Sequence, residues 1–231
     1  MCAPQKLLDT SDQPLKTILK RFCIVVVFGI AFGYFEAAVV VYLRAIFYPD
    51  GFTFPLAEFG GTVLWERLLL TEVGRETASL VLILSAAALF GQDRQQRFAF
   101  FITIFAIWDI FYYIWLKVIL NWPSSLMDWD ILFLIPMVWA SPVLAPMIIS
   151  VILLIFAVGI LYRCCCGRPL RVRPFDWLVF IFTGMVMVVS FCIAGQHITE
   201  PDFRAYFSWL LFALASLLAG TVFVKCLLKS K

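Results

Sequence analysis

The chain has 231 residues, of which 63% are hydrophobic and only 14% charged, and its net charge is +3. A soluble domain carries about 25% charged residues, so this composition excludes a water-soluble globular protein and calls for lipid around most of the surface. The small, scattered positive charge excludes a nucleic-acid partner, and a single histidine, His197, excludes a multi-haem cytochrome.

Residues 1–21 are polar and basic and read as a short cytoplasmic tail. The apolar run 22–42 that follows is long enough to span and lacks a small-residue cleavage pattern, so it reads as a first span and not as a signal peptide. Hydropathy predicts six spans, at 22–43, 71–90, 98–120, 143–162, 177–196 and 208–228. The expected fold class is all-α: a polytopic transmembrane helical bundle forming one membrane domain over 22–228, with a tail at 229–231. Lys6, Lys16, Lys20 and Arg21 lie before the first span, and Arg94 and Arg97 between the second and third. Arg163, Arg168, Arg171 and Arg173 lie between the fourth and fifth, and Lys225, Lys229 and Lys231 at the end. Of the 18 basic residues only Arg44, Arg67, Arg75, Lys117 and Arg204 fall elsewhere. The positive-inside rule then predicts both termini in the cytoplasm of a cell whose inner or plasma membrane holds the protein.

The loops on the other side are acidic and aromatic. The first is expected to turn at Pro49-Asp50-Gly51 and break at Gly60-Gly61, with Thr62 capping the next helix. The second contains an apolar piece, 131–139, too short to cross, which predicts a short interfacial or re-entrant helix. Trp122, Trp129, Trp139, Tyr206 and Trp209 are expected at headgroup level. No internal repeat supports an inverted-repeat transporter. Gly29 and Gly33 on the first span, and Ala215, Ser216, Ala219 and Gly220 on the sixth, have the spacing that lets helix backbones approach.

The second span carries the chemistry. Its uninterrupted apolar part, 78–90, is too short to cross a bilayer that needs roughly 20 residues. Spanning therefore takes Glu72, Arg75 and Glu76 to membrane depth, where ionisable groups face a protein interior or a wet cavity. Helical rise puts Glu36 and Glu76 roughly 21 Å, and Asp109 roughly 16 Å, from the cytoplasmic ends of their helices. Spacings of three and four place Glu72, Arg75, Glu76 and Ser79 on one stripe, and Asp109, Tyr112, Tyr113 and Lys117 on another. Arg75 is the one cation expected at that depth against four carboxylates, so those it does not pair must hold a proton, meet water or meet an added cation.

From these residues the expected acid/base groups are Glu76 and Asp109, with Glu36, Glu72, Arg75, Tyr112, Tyr113 and His197 as substrate-binding neighbours. Arg75 would hold an anionic group or orient Glu36. The expected partners are membrane lipid and a small or lipid-derived substrate. No cofactor is identifiable, and with no HExxH or clustered histidines no metal site is assigned. The cysteines fall mostly on the reducing side and predict no disulfide. Because 22–31, 80–90, 98–108 and 177–186, the cytoplasmic halves of four spans, carry no charged side chain, a cavity open to the outside is favoured over a through-path. The rival reading is a non-catalytic membrane subunit or scaffold, or a transporter component, whose polar cluster locks helices together.

Overall fold

An apolar segment surrounded by hydrocarbon has to close its own backbone hydrogen bonds, and each predicted span accordingly forms one helix. The computed structural model describes residues 12–49, 51–55 and 63–229. Its helices are α1 (Asp12–Phe47), α2 (Val63–Phe90), α3 (Arg94–Leu120), α4 (Leu144–Cys165), α5 (Pro174–Gln196) and α6 (Trp209–Lys229). All six include a stretch long and apolar enough to cross a membrane. Two helices extend beyond their apolar spans, α1 unexpectedly and α2 from the position directly after Thr62, where its start is expected. Helix α1 reaches back through part of the expected tail to Asp12, and α2 starts at Val63, so the polar residues before each apolar core are also helical. The start of the N-terminal tail, Asp50 of the first expected turn, the Gly60-Gly61 break, the Thr62 cap and residues 230–231 lie outside the described residues.

Local chemistry sets the helix ends. Asp93 caps α3 by accepting from the backbone N–H groups of Gln95 (2.8 Å) and Gln96 (2.9 Å), so the turn from α2 needs only residues 91–93. Asn121 stops α3 in the left-handed conformation (φ 54°), which asparagine tolerates better than most residues. Pro174 opens α5, where its missing N–H would have had no helical partner.

The second long loop departs from expectation. In place of a short helix it forms a two-stranded antiparallel ribbon, β1 (Trp129–Phe133) and β2 (Trp139–Pro142). Tryptophan, isoleucine and phenylalanine favour a pleated, half-buried surface, and Pro136 lies in the link where no ladder bond is lost. The ribbon rests on α5 at Gly195, where an added Cβ would lie 1.9 Å from the Val138 carbonyl oxygen. Only glycine permits that approach.

Helix α3 is the axis of one unit, with α1, α2 and α4 packed around it. Helices α5 and α6 pair with each other and reach the rest mainly through β2 and a short α4–α6 contact. Gly29 and Gly33 allow the α1–α3 approach: a Cβ at Gly29 would meet Ile107 Cγ2 at 2.7 Å, and one at Gly33 the Trp108 carbonyl oxygen at 2.9 Å. On α6, Ala215, Ser216 and Ala219 are buried, whereas Gly220 faces open space. One apolar cluster, with Val25, Ile83, Phe100 and Phe223, fills the end of the bundle near the α2–α3 turn. A second, with Trp129, Phe191, Phe203 and Phe212, binds the ribbon to α5 and α6. Trp129 is therefore an interior residue (6% exposed), not an interfacial anchor. Phe35, Leu70, Leu89 and Leu210 are each at least 70% exposed on the helix flanks. Such a surface is stable against lipid and not against water.

Candidate functional site

Between the two apolar clusters is a cavity of about 690 Å³. Its walls come from α1 to α5 and the ribbon, and they collect most of the polar residues the sequence singles out. Glu36, Glu72, Arg75, Glu76, Asp109, Tyr112 and Tyr113 all line it.

Arg75 sits between two carboxylates. Its Nε donates to Glu72 Oε2 at 2.8 Å, one turn earlier on α2, and its Nη1 pairs with Glu36 on α1. Arg75 thus meets Glu36 of a neighbouring helix, the carboxylate it is expected to orient. A guanidinium has to keep its proton, so its fork is held in place by the two anions it meets. Helices α1 and α2 touch each other little and both lean on α3, so this bridge crosses the gap between them.

Glu76 is buried (7% exposed) and turned toward the ribbon, where both its oxygens accept from the Leu134 backbone N–H, at 2.9 and 3.2 Å. Asp109 accepts from the Ser150 hydroxyl of α4 at 2.7 Å. Among the described residues neither carboxylate makes an ion pair.

A second polar group completes the wall, and reading by depth alone overlooks it. Arg44, at the end of α1, pairs with Asp130 of β1 at 3.1 Å, and the Tyr112 hydroxyl donates to the other Asp130 oxygen at 3.2 Å. The Arg44 guanidinium is also held between the rings of Trp122 (3.8 Å) and Phe52 (4.1 Å). Trp122 thus serves as one face of a cation–π sandwich. Asp130 lies outside the spans, and burial pushes its carboxyl up to about 6, a rise held back by Arg44 and by the Tyr112 hydroxyl. Arg75 is therefore not the only cation at the site. The signal available for Asp130 was its place inside an apolar β-favouring run, where a carboxylate needs a partner.

His197 does not join this group. It ends α5, where Nδ1 lies 2.7 Å from Glu200 Oε1 and its ring stacks on Tyr206 at 3.6 Å. Hydrogen bonds from His197 and then Tyr206 hold the Glu200 carboxyl below its usual range. No group of three or more metal-binding side chains occurs among the described residues.

Six membrane-length helices make the chain a multi-pass membrane protein. Compared with family models, with curated proteins and with solved structures, it matches none of them.

Proposed function

We propose that the protein binds, or performs acid/base chemistry on, a small or lipid-derived substrate in this cavity. Both termini then face the cytoplasm and the cavity opens toward the outer leaflet. One observation carries the reading: Glu76 and Asp109 line a single cavity with no cation on either among the described residues, while the nearby Arg75 is already engaged by Glu36 and Glu72. Carboxylates placed in this way can accept or supply a proton, given a substrate within hydrogen-bond reach. With Glu72 on its Nε and Glu36 on its Nη1, Arg75 orients Glu36. Tyr112 and Tyr113 line the same wall as polar contacts for a substrate. The basic residues clustered at the α2–α3 and α4–α5 turns support the orientation.

The second reading, a non-catalytic subunit or scaffold, is favoured by the Glu36–Arg75–Glu72 bridge, which ties two helices that otherwise touch little. Glu76→Gln and Asp109→Asn, each in the full chain, separate the two. On the site reading both variants keep the wild-type thermal midpoint and lose the small molecule or lipid that co-purifies and is seen by native mass spectrometry. A lowered midpoint with unchanged ligand content would instead establish the scaffold. Reporter fusions at the two ends test the orientation, which fails if either end is accessible from outside intact cells.

A further inference from the structure

The cavity does not end at its polar wall. A second cavity of about 580 Å³ lies between α4 and α5 and shares Ile149, Leu153, Gly184 and Met187 with the first. A pocket for a small molecule has roughly 300–1,000 Å³, which the first cavity already provides. The added space is of a different kind. It is lined by side chains such as Phe98, Phe156, Phe180 and Phe223, and its charged group, Arg94, belongs to the first turn of α3. At the junction is Gly184, where an added Cβ would meet no atom within 4 Å. The backbone of α5 stays apart from those of α3 and α4, and side-chain pairs such as Phe156–Phe180 and Phe98–Trp177 meet across the crevice between the two units of the fold.

The polar end has a sign. Among its lining residues are five carboxylates, Glu36, Glu72, Glu76, Asp109 and Asp130, against two guanidiniums, Arg44 and Arg75. After the observed pairings, Glu76 and Asp109 remain without a cation among the described residues. Aromatic faces, which attract cations, stand nearby in Trp108, Phe133 and Trp139. An independent sign of an occupant comes from the indoles. Trp108 is 5% exposed, yet its N–H, like that of Trp139, is buried and has no acceptor among the described residues. Buried donors are rarely left open, and both of these belong to side chains that line the cavity.

We infer that the ligand of this site is an amine-bearing amphiphile: its ammonium lies at Asp109 and Glu76, an oxygen near the head faces the indole N–H groups, and its hydrocarbon chain passes Gly184 into the second cavity. This rests on the site reading above and specifies its substrate class. A hydrocarbon chain is worth about 0.8 kcal/mol per buried CH₂, so the second cavity supplies most of the affinity and the carboxylates supply the choice of head.

The test uses the full chain in phosphatidylcholine nanodiscs and two photoreactive probes, hexadecylamine with a diazirine at the end of its chain and a short diazirine-bearing butylamine. The long probe is expected to label the α4 and α5 residues of the second cavity saturably, with unlabelled hexadecylamine competing at least tenfold better than hexadecanol. Gly184→Phe, or the smaller Gly184→Leu, is expected to cut that labelling at least tenfold. Labelling of the first cavity by the short probe is expected to be lost in Asp109→Asn. Long-probe labelling of the outer helix flanks only, or labelling of the second cavity indifferent to both Gly184 variants, overturns the inference. So does equal competition by hexadecanol. If the short probe labels in an Asp109-dependent way while the long probe never reaches the second cavity, the inference fails and the site reading stands. If the short probe shows no dependence on Asp109, the inference fails, and the site reading fails with it only if Asp109→Asn also keeps the wild-type ligand content.

Discussion

Arg44 and Asp130, 86 residues apart, meet at 3.1 Å and are both buried, joining the end of α1 to the first strand of the ribbon. The pair closes one wall of the cavity, and the Tyr112 hydroxyl brings α3 into the same contact. Removing one partner of a buried pair costs about 3–5 kcal/mol because the other charge is left alone, whereas removing both costs much less. Arg44→Met is therefore expected to lower stability by about that amount near neutral pH, and Arg44→Met with Asp130→Asn to recover most of it. Unfolding titrations in mixed micelles would read both. Equal loss in the single and double variants would show that the pair contributes through packing alone.

The same aspartate makes stability depend on pH. Its folded-state value is raised, from 3.8 to about 6, so the folded protein holds that proton more tightly than the unfolded chain. The contribution is complete below about pH 4, declines as pH rises through the window to about 6, and is level above it. The decline amounts to roughly 3 kcal/mol. Asp130→Asn is expected to flatten this window. Arg44→Met is expected to extend it upward, because the guanidinium is what holds the carboxyl down. Thermal midpoints measured between pH 4 and 8 would show both effects.

Arg75 answers to geometry as well as charge. Arg75→Met leaves Glu36 and Glu72 facing each other without a cation and is expected to cost about 3 kcal/mol or more. Arg75→Lys keeps the charge but loses the planar fork that serves both carboxylates, so its stability is expected to fall between wild type and the Met variant. A Lys variant as stable as wild type would show that a point charge suffices.

The glycines of the bundle are not equivalent. Gly33→Ala sets a methyl group against the Trp108 carbonyl oxygen and the Tyr112 amide at 2.9 and 3.1 Å, and backbone cannot move aside as a side chain can. It is expected to cost about 1–3 kcal/mol. Gly195→Ala, with a Cβ 1.9 Å from the Val138 oxygen, is expected to lose more and to lift the ribbon off α5. Faster hydrogen exchange over 129–142 would record that. Gly74→Ala meets nothing within 4 Å and is expected to be neutral or to gain up to about 1 kcal/mol.

What could be read along the chain was whatever depends on neighbours in sequence. Apolar length alone marks the six helices, because a backbone in hydrocarbon has few alternatives, and α4, α5 and α6 begin and end within a few residues of their hydropathy limits. Helical rise placed Glu36, Glu76 and Asp109 at compatible depths, and the charge of Arg75 required an anion near it. Pairing across space was not legible. That Glu36 supplies the anion, that Ser150 holds Asp109 and that Leu134 holds Glu76 depend on how helices turn about their axes. Side-chain packing sets that turn, and no local signal carries it. The ribbon shows the same limit. An apolar run of this length suits a short helix or a strand, and its pairing with itself over Gly195 of α5 decided for the strand. His197 and Asp130 exchanged importance for the same reason. His197 stands at a helix end and meets its own loop at Glu200 and Tyr206, while Asp130 is carried by the folded ribbon onto Arg44, which only the tertiary structure brings within reach.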